Sequence, residues 1–318
     1  MRGVEGFGVK HHLRTDRLLT LSEDLPVVAV AVDTRERIER VLAQVRQLRF
    51  DGLVTLERAR MLTGEIGSVE LPQELRDATK LTLYIGRGAR ANGRPAYVAA
   101  LDLLKRRKVD GATVLLGVDG TIAGARRRGR FLSRNADVPA MVISIGSGER
   151  IAEVVPDLAS LLDRPVMTLE RVRVLKRDGE MHADPGQVPE KDEEGRNLWQ
   201  KLMLYSSEQT HFDARPIHIA AIRRLRREGA AGATALRGVW GYDGRHAPHG
   251  DTFWSLRRRV PTLTVVVDTP SNIRRWAALL DEITPERGLI TSEIVPAFRA
   301  TGPRISRGGL RLANLWRG

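Results

Sequence analysis

Residues 111–120, GATVLLGVDG, return as residues 232–241, GATALRGVWG, and the first six residues of the chain, MRGVEG, repeat the second half of both. Internal similarity of this kind marks a supersecondary unit used more than once. The register holds downstream, where PVVAVAVD from Pro26, PAMVISIG from Pro139 and PTLTVVVD from Pro261 read as strands. Each run leads into a residue suited to cap a helix, Thr34, Ser147 or Thr269, and Pro270 follows the last at the first helical position. The helices align independently. Ile38, Val41, Leu42, Val45 and Leu48 share one 3.6-residue face, matched by Ile151, Val154, Val155, Leu158 and Leu161 and by Ile273, Trp276, Ala277, Leu280 and Ile283. All are apolar, and each helix then enters a strand pattern, LVTLERARML at Leu53, VMTLERVRVL at Val166 and LITSEIVPAF at Leu289.

The front half of the unit occurs twice. LTLYIG from Leu81 and KLMLYS from Lys201 read as strands, with Tyr84 aligned to Tyr205. Each is followed by an Arg-Pro, Arg94-Pro95 or Arg215-Pro216, and by a helix carrying Ala100, Leu101 and Leu104 or Ala221, Ile222 and Leu225. A complete unit is therefore β-α-β-β-α-β, roughly a hundred residues, the split βαβ or ferredoxin-like arrangement of the α+β class. The spacing divides the chain into a partial module (1–62), a linker (63–79), a full module (80–176), an acidic linker (177–197), a second full module (198–299) and a basic tail (300–318) expected to be disordered.

The first copy lacks its leading strand and helix. In this topology the first strand lies centrally, so its loss leaves unpaired backbone inside the sheet and removes half of the helical cover. Met1 aligns with Leu115 and Leu236, inside the second strand. The expectation is that Met1 is an internal methionine and that about 35 residues are missing ahead of it, the spacing from Lys80 to Leu115. The alternative is a genuine half-domain completed by another chain.

Composition narrows the function classes. The chain has 318 residues, no cysteine and a formal charge of +13, from 52 Lys+Arg against 39 Asp+Glu. Without cysteine thiols, disulfides, thiolate zinc sites, iron–sulfur clusters and cysteine nucleophiles are excluded. No apolar stretch approaches a bilayer span, and no signal peptide precedes the fold, so a cytoplasmic protein not embedded in a membrane is expected. The runs KRRK at Lys105 and RRLRR at Arg223 fall in helix C-terminal halves, where the helix dipole favours cations without any ligand.

The strand ending in YIG, the helix opening with Arg94, Pro95, Ala96 and Tyr97, the Gly-Ala-Thr-Val, the RGVEGFG loop with His11 and Thr15, and LSEDLPVV together resemble the bacterial and archaeal PII-like proteins filed as a domain of unknown function. The resemblance spans roughly 1–62, 80–176 and 200–299. It implies domains that assemble as trimers, hold small ligands, often nucleotides, in clefts between neighbours, and reach a regulated partner through a long loop between strands 2 and 3. Three tandem copies would then make a pseudo-trimer in one chain, acting on a channel, transporter or enzyme.

The loop after the second strand carries the candidate site. Gly3, Gly6 and Gly8 permit close backbone approach, and Arg2, Lys10, His11 and Arg14 surround them with positive charge suited to phosphate or carboxylate. Arg237, Gly238, Gly241 and His246 are the equivalents in the third copy. A glycine-rich hairpin connection is the plain alternative. The second copy replaces this pattern with Arg126, Arg127, Arg128, Arg130 and Arg134. His246, His249 and Asp251 have no helix to align them and are not read as metal ligands. No catalytic motif is present, so neither an enzyme nor a cofactor is expected. The rival reading is an RNA- or polyanion-binding ferredoxin-like protein. Against it, the third strands lack the aromatic residues on which bases stack.

Overall fold

The computed structural model describes residues 1–8, 14–15, 25–48, 50–64, 66–122, 125–128, 138–163, 165–193, 195, 197–243, 249–250, 260–301 and 304–306. The fold is mixed α+β, and no helix among the described residues is long and apolar enough to cross a membrane. Module 1 supplies β1 (Glu5–Phe7), α1 (Arg35–Val45), β2 (Gly52–Thr55) and β3 (Arg60–Leu62). Module 2 supplies β4 (Thr79–Gly86), α2 (Ala96–Arg106), β5 (Gly111–Leu116), β6 (Asp119–Ile122), β7 (Pro139–Gly146), α3 (Gly148–Leu161), β8 (Val166–Arg171) and β9 (Arg173–Arg177). Module 3 repeats the set as β10 (Trp199–Ser207), α4 (Ile217–Arg227), β11 (Ala233–Arg237), β12 (Trp240–Asp243), β13 (Pro261–Asp268), α5 (Pro270–Ile283), β14 (Leu289–Val295) and β15 (Ala297–Thr301).

The two full modules share one topology. Their strands lie in the orders β5-β7-β4-β8 and β11-β13-β10-β14, every neighbour antiparallel, so the first strand is central in both. Strand alternation sends Leu81, Leu83, Val142 and Met167 to the helical side, where they meet Leu101, Leu104, Ile151, Val155 and Leu158 in one buried core. Leu202, Leu204, Val266, Ile222, Leu225, Ile273, Trp276 and Leu280 build the equivalent core of module 3. Of the three cap residues read from sequence, Ser147 accepts a side-chain hydrogen bond from the Arg150 amide, whereas Thr34 and Thr269 cap through their carbonyls alone. Asp268, buried ahead of α5, accepts from the Thr269 amide at 2.8 Å and the Trp276 indole at 2.9 Å.

The segments after each fourth strand depart from the single strands expected. LVTLERARML breaks into β2 and β3, and VMTLERVRVL into β8 and β9, because the second piece joins the next module's sheet. Module 1 lends β3 to β8, module 2 lends β9 to β14, and module 3 lends β15 to β2. The three joints share one register at equivalent residues, Met61 facing Thr168, Val174 facing Thr291 and Ala297 facing Thr55, and the middle joint shifts by one residue after Val174. The pairing therefore closes into a cycle. It also overturns part of the expected disordered tail, since β15 runs to Thr301 and pairs with a strand at Arg304–Ser306. Residues 307–318 lie outside the described residues.

A second set of joints uses the start of the strand 2–3 loop in modules 1 and 3. β1 crosses to β11, with Gly6 facing Thr234, and β12 crosses to β5, with Gly241 facing Thr113, again in equivalent register. Phe7 and Tyr242 occupy matching positions in the neighbouring cores, and the Tyr242 hydroxyl donates to the Val109 carbonyl at 3.0 Å. Between the modules, on the sheet faces away from the helices, Leu115, Ile143, Met203, Leu236 and Leu263 form a further buried cluster, joined by Met1 and Val28.

Module 1 differs from the other two. The strand expected over PVVAVAV forms only an isolated bridge, Arg2 to Val27, where the first strand would otherwise pair along its other edge. No residue of α1 is buried: Val41 is 45% exposed where its equivalent Val154 is 0% exposed.

Candidate functional site

Where the three sheets converge, five charged side chains meet. Lys80 on β4 and Lys201 on β10 point to the face away from the helices, because Leu81 and Leu202 beside them point into the helical cores. Glu57, Glu170 and Glu293 occupy one repeat position, four residues into each closing strand pattern. Lys80 Nζ lies 2.7 Å from Glu170, 2.9 Å from Glu293 and 3.4 Å from Glu57. Lys201 Nζ lies 2.8 Å from Glu293 and 2.7 Å from Glu57. Each lysine thus bridges its own module's glutamate and that of the next module round the cycle.

Three carboxylates share two ammonium groups, and the imbalance falls on Glu170. Its close partners are Lys80, the Thr168 hydroxyl, which donates at 3.1 Å, and the Glu57 carboxylate, with which it shares a hydrogen bond. Burial pushes its carboxyl up to about 7; Lys80 opposes this, and the charges of Glu293 and Glu57 reinforce it. Burial also acts to raise Glu57, but Lys201 and Lys80 outweigh it and hold that carboxyl below the ordinary range. Burial works against the Lys80 ammonium as well, yet Glu293, Glu170 and Glu57 raise it well above its usual value. Tyr205 and Tyr84, four residues after the lysines, are raised by burial first. Oxygens of the three glutamates lie within 4.8 Å of one another, a donor set suited to a divalent cation, but the lysines already place positive charge among them. A half-matched buried ionic cluster costs stability, while its geometry locks module to module.

The glycines read as ligand contacts have packing tasks. A Cβ on Gly3 would stand 2.7 Å from the Pro26 ring and 3.1 Å from the Ala235 carbonyl, and one on Gly6 would stand 2.8 Å from the Ala233 carbonyl. Gly238 and Gly241 meet Pro261 and the carbonyls of Val114 and Ala112 in the same way, at 3.0 and 2.6 Å from those oxygens. These glycines let one module's backbone cross another's. Gly8 is exposed with open space beside it. Arg2 is exposed at the bridge to Val27, and Arg237 donates to Glu208 at 2.6 Å. His11 and His246 lie outside the described residues, as do Lys10, Arg130, Arg134 and Asp251.

A different concavity gathers cations. Where β8 leaves module 2 and β9 joins the sheet of module 3, a cleft of about 510 Å³ is lined by Arg150, Arg171, Arg173, Arg177 and His182, with Asp77 and Asp110 as its acids. Arg150 donates to the Lys108 carbonyl at 2.9 Å and to Asp110 at 3.2 Å, and Arg177 meets Asp110 at 2.9 Å. Ser147 and the first turn of α3 open onto the same space, adding the positive end of a helix. Sequence reading missed both places. Lys80 and Lys201 stand at one repeat position and could have been found by extending the strand alignment one residue before Leu81. Arg171, Arg173 and Arg177 are near neighbours in the chain at the β8–β9 crossing, and only the fold brings Arg150 of α3 to them.

Comparison with known proteins gives the chain relatives but no assigned activity. The family described as Uncharacterized ACR, COG1993 (DUF190) matches residues 1–61, 78–174 and 199–297. A UPF0166 protein of Aquifex aeolicus (strain VF5) is 30% identical over 95 residues, which is 88% of that protein and 30% of this chain. UPF0166 protein MJ1524 of Methanocaldococcus jannaschii is 33% identical over 89 residues, 82% of that protein and 28% of this chain. These relatives are about the size of one module.

Proposed function

Since this chain, matched in all three modules, belongs to the DUF190 family, we propose that it is a cytoplasmic regulator built from PII-like, ferredoxin-like modules. They are arranged as the subunits of a trimer would be, and the protein acts by binding rather than by catalysis. Its ligand is a small anion, a nucleotide being the leading class, held in a cleft between modules. Its partner, a channel, transporter or enzyme, reads the loops between strands 2 and 3.

The observation that carries this reading is the arginine-lined cleft at the joint between modules 2 and 3. Its size lies in the range of small-molecule sites, and guanidinium forks suit phosphate oxygens. The cyclic register supports the trimer-like arrangement, because relatives of one-module length would need three chains to make the same joints. The RNA-binding alternative needs an open sheet face, and the face away from the helices is where Leu115, Ile143, Leu236 and Leu263 are buried between modules.

Thermal unfolding with ATP, ADP, AMP and cyclic nucleotides tests the ligand. A nucleotide at a hundred times its Kd stabilises by about 2.7 kcal/mol. The paired replacement Arg150→Ala and Arg173→Ala should abolish the shift. Unfolding indifferent to every nucleotide, or a shift unchanged in that variant, would overturn the assignment.

A further inference from the structure

Immediately ahead of each second-helix cap the modules differ. Asp33 precedes Thr34, Gly146 precedes Ser147 and Asp268 precedes Thr269. The paired registers agree with this alignment, Gly146 facing Thr79 and Asp268 facing Gln200, each one residue before an aligned lysine. In module 3 the buried Asp268 carboxylate accepts from the Thr269 amide at 2.8 Å, the Trp276 indole at 2.9 Å, the Asn272 side chain at 3.0 Å and the Ala231 amide at 3.3 Å. In module 1 Asp33 accepts from the Thr34 amide at 2.8 Å and from Arg37 at 3.4 Å. In both, one carboxylate answers the cap amide and the third residue of the helix.

Module 2 keeps the donors without the acceptor. Ser147 and Arg150 stand where Thr269 and Asn272 do, and Asp110 where Ala231 does, but Gly146 has no carboxylate. All four of these residues line the arginine cleft of about 510 Å³. We propose that an oxyanion of a small ligand, phosphate or carboxylate, takes the place in module 2 that the Asp268 carboxylate fills in module 3, received by the Ser147 amide and the Arg150 guanidinium. The proposal rests on the reading of the cleft as a ligand site and states where the charged end of the ligand is held.

Space at Gly146 favours this reading. A Cβ there would lie 3.4 Å from Val109 and 3.6 Å from Ile151, ordinary contact distances, and Gly146 is not among the glycines with positive φ. Neither crowding nor backbone conformation therefore requires glycine at this position, in contrast to Gly238 and Gly241. What the missing side chain leaves is room beside the first turn of α3, whose amides and dipole favour negative charge.

The cations divide the same way. Arg171 and Arg173 line the cleft of module 2, and the equivalent residues of module 3 are Ile294 and Pro296. Module 3 also receives a linker carboxylate, Glu190, which accepts from the Ser271 amide in the first turn of α5 at 2.8 Å. Module 1 has Arg58 and Arg60 at those positions but keeps Asp33. Only module 2 thus combines arginines at these positions with no carboxylate ahead of the helix cap. Asp110 takes up part of the charge, meeting Arg150 at 3.2 Å and Arg177 at 2.9 Å, yet four arginines face two aspartates along the cleft wall. Guanidinium groups in excess suit an entering oxyanion.

Calorimetric titration of the full chain with pyrophosphate, ATP and citrate is the test, the first two offering phosphate and the third carboxylate. Gly146→Asn puts a neutral acceptor into the space and should weaken the probe that binds by about tenfold or more, whereas Gly146→Ala, which adds only a Cβ, should keep its Kd within about threefold. Neither variant adds charge, so repulsion cannot produce the difference. Ser147 has a φ of −60°, which a proline ring accepts. Ser147→Pro removes the amide and the hydroxyl, Ser147→Ala the hydroxyl alone, and the first should bind about tenfold more weakly than the second. This pair decides if Gly146→Asn does not fold. Pyrophosphate or ATP bound without citrate identifies a phosphate ligand, and citrate alone a carboxylate. Equal binding by the Asn and Ala variants, or by the Pro and Ala variants, overturns the proposal and leaves the arginine cleft standing as a site; binding of none of the three probes overturns both.

Discussion

Replacing Glu170 with glutamine should make this protein more stable above neutrality, although it removes a carboxylate 2.7 Å from a buried lysine. Glu170 belongs to a cluster of three glutamates and two lysines, faced also by Thr168, Tyr84 and Tyr205. Its carboxyl is raised from the ordinary value of 4.5 to about 7. Between those values the folded protein holds a proton that the unfolded chain has released, so stability falls as pH rises through the window. At about 1.36 kcal/mol per pH unit, the loss approaches about 3 kcal/mol by pH 8. Glutamine is nearly isosteric with the protonated acid and cannot ionise. Near pH 5 the variant and parent should therefore match within about 1 kcal/mol, and at pH 8 the variant should lead by up to about 3 kcal/mol. Glu57 acts in the opposite sense but below pH 4.5, since its folded value is depressed and its contribution is lost only as pH falls further. Urea unfolding at pH 5, 6, 7 and 8, followed by tryptophan fluorescence, measures the difference between variant and parent. A variant less stable than its parent at pH 8, or a difference independent of pH, would refute the reasoning.

Two further substitutions examine the packing. A Cβ on Gly241 would sit 2.6 Å from the Ala112 carbonyl, so Gly241→Ala should part β12 from β5 and cost about 1–3 kcal/mol, read as a lowered urea midpoint. Val154→Ala and Val41→Ala change equivalent positions, one buried and the other 45% exposed. The first should cost about 1–3 kcal/mol and the second under about 0.5 kcal/mol in the same assay, and equal costs would contradict the open face of module 1.

Much of the architecture was legible because short-range physics writes it into the chain. The apolar period along Ile151–Leu161 and Ile273–Ile283, the Arg-Pro helix starts and the repeated Gly-Ala-Thr each report local geometry, and they recur where modules recur. The unpaired state of Ala29–Val32 was equally legible, because a sheet missing its central strand cannot satisfy the backbone on either side. Glycines carry less information for a related reason. Close approach is what a sequence reveals at Gly3, Gly6, Gly238 and Gly241, and whether the approaching group is a ligand or another backbone is not encoded locally.

By itself the sequence determined that one pattern of strands and helices recurs along the chain and which residues of α3 and α5 face a core, since both follow from periodicity and repeat register. Only the tertiary structure decided that β3, β9 and β15 cross to the next module in one common register, that two lysines and three glutamates meet between the sheets, and that four arginines converge on the joint of modules 2 and 3. Those facts depend on residues far apart in the chain brought together by burial of the sheet faces, and interactions at that range leave no periodic trace along the polypeptide.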